Sequence, residues 1–213
     1  MNFSNAISDF RVPFRQNFLL ISITGLFFLL WITTYIGTTD RPNWWLENAL
    51  VFIALAVLFG TYRRVKFSDL TYLLIFIFLC LHVYGAKYTY AENPFGFWLM
   101  DSLHLDRNHY DRIVHFSFGF LLAYPMRELF LVAFKYPVWV AWLLPIEITM
   151  SMSAMYELVE WGVADIFFPS QGGTFLGAQG DIWDAQKDIM LAFSGAILAT
   201  TIVSIIKKGF RIE

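Results

Sequence analysis

The sequence predicts an all-α fold: a polytopic membrane bundle of six transmembrane helices with both termini in the cytoplasm, built as a single domain over residues 1–213. Three observations carry that prediction. Hydrophobic residues make up 58% of the chain and charged residues only 15%, with a mean hydropathy of +0.56, outside the usual mix of a soluble domain. Six apolar runs approach or exceed the roughly 20 residues that cross a bilayer. The Lys and Arg residues, finally, fall unevenly between alternate connections. An aromatic share of 19%, with 23 Phe and 8 Trp, suits lipid contact and interfacial belts.

The first run, Asn17–Gly37, follows Arg11 and Arg15. No small-x-small cleavage site comes after it, and it exceeds the roughly 7–15 apolar residues of a secretory signal, so it reads as a retained helix. Leu46–Tyr62 is the second span and is short. Asp69–Tyr90 is the third and contains Cys80, the one cysteine of the chain, which reads as packing. Residues 91–109 include Asn93-Pro94, Trp98, His104 and His109, and read as an outer connection with a short amphipathic piece and solvent-facing histidines. Tyr110–Phe134 is the fourth span. Val138–Phe168, the fifth, is long, and its Pro145 predicts a kink or a tilt. Before the sixth, Asp184–Ile206, the glycines 172, 173, 177 and 180 permit tight turns or close backbone approach to a ligand.

Orientation follows from the basic residues. One side holds Arg11, Arg15, Arg63, Arg64, Lys66, Arg127, Lys135, Lys207, Lys208 and Arg211, and the other only Arg41, Lys87, Arg107, Arg112 and Lys187. Ten against five puts both termini inside.

In such a chain the segment GDIWDAQKD, residues 180–188, is costly. It sets Asp181, Asp184 and Asp188 on one helical stripe ahead of an apolar run, where carboxylates must bind, pair or take up protons. Two other spans place polar groups at a similar depth. His115 lies roughly 8 Å below the outer end of the fourth span, and Glu160 and Glu157 roughly 12 and 16 Å below that of the fifth, at 1.5 Å per residue. Asp111 and His115 are spaced i,i+4, and Glu157 and Glu160 i,i+3, so each pair shares a face. Paired helical carboxylates with an imidazole from a facing helix form a mixed oxygen and nitrogen set. That set suits zinc, manganese or iron, whereas carboxylates alone suit magnesium or calcium. The candidate metal ligands are therefore Glu157, Glu160, Asp184, Asp188 and His115. Asp111 orients the His115 ring unless Arg112 claims it, and Asp181 and His82 complete the polar neighbourhood. His82 is read first as a core histidine bonded to Tyr84, Tyr88 or a backbone carbonyl, and only second as a ligand. Deeper in the chain, Arg127 and Glu147 are expected to pair and so satisfy both charges.

No Walker sequence, GxGxxG, HExxH or GxSxG pattern occurs, and a net charge of −2 gives no sign of nucleic-acid binding. At YDRIVHFSFG, YELVEW and QGDIWDAQKD the chain resembles the YjdF-like family of bacterial inner-membrane proteins, over nearly all of spans three to six. That resemblance implies an integral plasma-membrane protein and brings no particular reaction. A second likeness is to the VanZ-like membrane proteins, some of them associated with glycopeptide resistance. Their D-K-x-x-H-F and D-x-x-x-N elements look similar to residues 111–116 and 184–188 here, with Arg112 in place of the lysine and Asp188 in place of the asparagine.

Three functions stay open. The first is a metal-dependent enzyme acting on a lipid or envelope precursor from the outer leaflet, with His115 as ligand or general base and Glu160 as the second candidate catalytic residue. The second is a proton- or cation-linked carrier. The third is a non-catalytic envelope factor whose polar cluster locks the bundle together.

Overall fold

Asn17, Asp40, Ser68 and Asn93 each stand just before a helix, and each side chain accepts a hydrogen bond from a backbone N–H of the helix that follows. These caps divide the chain in the computed structural model, which describes residues 13–38, 40–167 and 178–209, the last three without side chains. A short 3-10 turn at Phe14–Gln16 leads into seven α-helices among the described residues: α1 (Phe18–Gly37), α2 (Arg41–Thr61), α3 (Asp69–Lys87), α4 (Pro94–Leu103), α5 (Tyr110–Val132), α6 (Val138–Phe167) and α7 (Asp184–Gly209). Glycines 172, 173 and 177, together with Arg11 and Arg211, lie outside the described residues.

Helix α2 begins at Arg41, not Leu46, so the second span is not short. Pro42 in its first turn and the Asp40 cap allow the helix to start in polar sequence, which hydropathy alone clips off. Helix α3 ends at Lys87 rather than Tyr90, because Thr89 and Tyr90 adopt left-handed backbone at φ 52° and 55°. That reversal folds the Tyr90 ring onto Gly85, where a side chain would collide with it. The connection between α3 and α5 contains the expected short helix, α4.

Helices α1, α2, α3, α6 and α7 are long and apolar enough to cross a membrane. Helix α5, with 23 residues, is long enough, but it carries Asp111, Arg112, Arg127 and Glu128. It occupies the centre of the bundle. α5 packs most closely on α7, with α3 and α6 against it, while α1 and α2 lean on α3. Three small cores hold these layers: Phe27, Val51, Leu79 and Val83 join α1, α2 and α3; Tyr90, Tyr110 and Val114 join the turn after α3 to α5; Ala123, Ala196 and Ala199 join α5 to α7. The outward faces are apolar as well. Ile36 is 73% exposed and Ile166 71%, a surface suited to hydrocarbon rather than water.

Candidate functional site

The site is built on a seam of small residues. Helices α5 and α7 run side by side so closely that a Cβ on Gly119 would strike the Ala192 carbonyl, and one on Gly195 the Phe116 carbonyl. Ala192 and Ala196 are fully buried there. Small side chains let helix backbones approach, and this contact fixes the register of everything above it. His115 stands one turn before Gly119, and Asp188 one turn before Ala192, so the seam holds imidazole and carboxylate at one level.

Around that point the ligand atoms of Asp111, His115 and Asp188 all lie within 4.8 Å of one another. His115 Nε2 is 3.6 Å from Asp111 Oδ1 and 3.4 Å from Glu157 Oε1, while Nδ1 faces Ser153 Oγ at 3.5 Å. Tyr156 sits edge-on to the imidazole, with ring centres 5.9 Å apart. Asp188 is 1% exposed, and its Oδ1 has no hydrogen-bond partner. A buried carboxylate oxygen left in that state is costly.

Glu160 belongs to a neighbouring group. Tyr156 donates to Glu47 Oε2 at 2.8 Å and also neighbours Glu160, so α2 contributes a carboxylate to the same region. His82 is held at both nitrogens: Nε2 faces the Glu47 carbonyl at 3.0 Å, and Nδ1 the Tyr90 hydroxyl at 2.7 Å. A carbonyl only accepts, so Nε2 carries the proton and Nδ1 receives the tyrosine O–H. Of the alternatives read for His82, the backbone carbonyl is the one found.

Asp181 and Asp184 lie apart from the buried pair, in a cationic brace. Arg107 donates to Asp184 Oδ1 at 2.5 Å and to the Ala178 carbonyl at 3.0 Å. Arg112 pairs with Asp181 and reaches Asp184 Oδ1 at 3.3 Å, and Lys187 bonds Asp181 at 2.7 Å. The Lys187 ammonium, the Trp183 N–H and the Arg112 guanidinium hold the Asp181 carboxyl well below the usual carboxylate range. His109 is half-buried rather than solvent-facing, with Nδ1 3.3 Å from Arg112. Burial first, then the Arg112 and Arg107 charges, lower its pKa. His104 is exposed as expected.

Among the described residues, Glu47, Asp111, Glu157, Glu160 and Asp188 form no ion pair with Lys or Arg. The three cations nearby are already committed to Asp181 and Asp184. The anticipated Arg127–Glu147 pair is not formed. Arg127 lies over the Trp142 ring at 4.1 Å, and Glu147 is exposed. Two further members, Glu47 and Arg107, escaped the sequence reading. Glu47 was detectable as the single acidic residue inside the second apolar run, whereas Arg107, in a polar connection, carried no signal of its own.

The donor set of Asp111, His115 and Asp188, with Glu157 beside it, is oxygen-rich with one nitrogen and includes an unpartnered buried oxygen. Those features fit a divalent metal. Comparison with known proteins agrees on the setting. The chain is 38% identical over 178 residues, 82% of its own length and 83% of the relative's, to the inner membrane protein YjdF of Escherichia coli (strain K12). No solved structure matches it. Residues 19–209 match the family described as "Predicted membrane protein (DUF2238)". The chain is thus an integral membrane protein and belongs to the DUF2238 family.

Proposed function

We propose that this protein is a membrane-embedded metal enzyme that hydrolyses or modifies an envelope lipid or its precursor. The observation that carries the reading is the buried Asp188 Oδ1, without a partner, beside Asp111 and His115. Five carboxylates with no Lys or Arg partner among the described residues need protons or cations, and an imidazole facing three of them favours a transition metal such as zinc, manganese or iron over magnesium.

Asp111, His115 and Asp188 are the proposed ligands, with Glu157 within reach of the same point. When bound by these residues, a divalent ion would supply Lewis acidity and lower the pKa of a water at the site. Ser153 orients the His115 ring from behind. Glu160, separated from Glu47 by Tyr156, accepts a proton from the attacking water and returns it to the leaving group. The brace of Arg107, Arg112 and Lys187 fixes the start of α7, which carries Asp184 and Asp188. In this reading Asp184 supports the site through its two arginines. Helix α5 also crosses the membrane and brings the spans to six, both termini are cytoplasmic, and the site lies in the outer half of the bilayer, open to outer-leaflet substrates. The transport alternative finds less support, because Glu128 in the inner half is already bonded to Ser68 and Thr71.

The test is elemental mass spectrometry on protein purified in mild detergent without chelator, beside Asp188→Asn and His115→Ala. About one transition metal per chain, lost in both variants while they stay folded, supports the enzyme reading and justifies assays on envelope lipids. Well-folded wild type without metal rejects it.

A further inference from the structure

The hairpin of α1 and α2 is fastened at one end only. Near the turn between the two helices, Trp31 Nε1 donates to Asn48 Oδ1 at 2.6 Å and Trp44 Nε1 to Thr34 Oγ1 at 3.1 Å. The two indoles also stack, with centroids 6.1 Å apart. Away from that clasp the helices part, and a narrow crevice of about 80 Å³ opens between α1, α2 and α3. Ile23, Phe27, Leu55, Phe59, Ile75 and Leu79 line it. The Thr24 and Tyr72 side chains supply the only hydroxyls in its walls. A cavity so lined offers water too few partners to hold it.

The mouth of the crevice has the opposite character. Phe14 packs edge-on against Tyr62 at 6.2 Å, bringing Arg15 to the end of α2, where Arg63, Arg64 and Lys66 follow. None of these four cations makes an ion pair among the described residues. The nearest carboxylates are engaged elsewhere: Asp69 accepts from Asn17 at 2.6 Å, and Glu128 from Ser68 and Thr71. An apolar slot within spanning helices, capped by uncompensated positive charge, is complementary to a molecule with a hydrocarbon tail and an anionic head.

We propose that this crevice is a binding site for an anionic phospholipid, with an acyl chain between α1 and α2 and the phosphate on Arg15, Arg63 and Arg64. The site is separate from the carboxylate cluster and does not depend on the metal. An arginine fork binds phosphate through paired N–H donors, and basic residues at a membrane surface favour anionic lipid. The tail supplies affinity and the arginines supply headgroup choice.

Native mass spectrometry of the full chain, loaded with phosphatidylglycerol, phosphatidylethanolamine or phosphatidylcholine, tests this. The wild type is expected to retain phosphatidylglycerol at least tenfold better than the two zwitterionic lipids. The triple variant Arg15→Ser, Arg63→Ser, Arg64→Ser is expected to lose that preference while still binding lipid. Leu55→Trp, which fills the slot, is expected to lose bound lipid altogether, and Thr24→Phe serves the same purpose if Leu55→Trp fails to fold. Equal retention of all three lipids by the wild type overturns the proposal. So does an undiminished preference in the triple variant, whose substituted side chains are exposed and leave the packing intact.

Discussion

Helix α5 buries charge twice, and its two halves treat that charge differently. In the C-terminal half Glu128 accepts from the Ser68 N–H at 2.9 Å, the Ser68 hydroxyl at 2.8 Å and the Thr71 hydroxyl. Arg127 beside it lies on the Trp142 ring, and although its Nε has no hydrogen-bond partner, the guanidinium face is covered by aromatic density. In the N-terminal half, Asp111 and His115 meet Asp188 and Glu157 with one carboxylate oxygen unpartnered and, among the described residues, no Lys or Arg paired with them. Burial of charge alone therefore does not mark a site. The C-terminal half spends its polar neighbours on stability, and the N-terminal half leaves ligand atoms open.

Removing one acid from each half breaks the comparison most sharply. Glu128→Ala deprives three donors of their acceptor and is expected to cost on the order of 3 kcal/mol. A thermal melt followed by tryptophan fluorescence should drop markedly, with metal per folded chain unchanged. Asp188→Asn should do the reverse: metal binding falls at least tenfold, and the melting temperature without metal holds or rises, because a buried uncompensated carboxylate has gone. If both variants destabilise alike and neither alters metal content, the two halves are equivalent and the carboxylate cluster is structural.

The seam below the cluster gives the next largest effect. Gly119→Val pushes a branched side chain at the Ala192 carbonyl, and overpacking of this kind costs about 1–3 kcal/mol. Since the same contact sets Asp188 against His115, metal content should fall together with stability. Retained metal in a destabilised Gly119→Val protein would mean that the register of α7 on α5 is set elsewhere.

Much of this was legible in the chain because membranes simplify the reading. Apolar runs located the helices to within a turn, apart from the polar start of α2, where Asp40 and Pro42 decide. The spacing of Asp111 and His115, and of Asp184 and Asp188, gave the faces, and helical rise gave a common depth. Partner choice was not legible. Asp184 and Asp188 share a stripe, yet one meets two arginines and the other meets none. That division depends on Arg107, brought in by a connection whose path is set by Asn108 bonding to Gln179 and Asn93. Such contacts span 71 and 15 residues, beyond any local periodicity. Arg127 and Glu147 failed to pair for a related reason. Equal depth places two residues at one level but says nothing of the angle at which they face.

A smaller effect is expected at the His82 clasp, the neutral counterpart of the cluster. Tyr90→Phe removes the 2.7 Å bond to Nδ1 and should cost about 0.5–1.5 kcal/mol, read as a modest fall in melting temperature. Metal content should not change, because both His82 nitrogens are engaged away from His115. Loss of metal in this variant would extend the site to α3.

The smallest effect separates the brace from the buried cluster by pH. Asp181 is held below the usual carboxylate range, first by Lys187 and then by the Trp183 N–H and Arg112. A depressed carboxylate contributes stability fully at pH above its ordinary value of about 3.9 and loses it as the pH falls below that point. The brace is therefore constant between pH 5 and 8, and the melting temperature should show no Asp181 dependence there. Metal binding to an imidazole and carboxylates competes with protons, so occupancy is expected to fall with acidification inside that same window. Occupancy that falls while the acid-unfolding profile stays flat assigns the proton competition to the α5–α7 pocket. Lys187→Met sharpens the point. It should shift acid unfolding slightly toward higher pH, since Asp181 loses its strongest donor, and leave the pH profile of metal occupancy where it was. A variant that moves both profiles together would show that brace and pocket titrate as one unit, and that the division between paired and open carboxylates on α7 does not hold in solution.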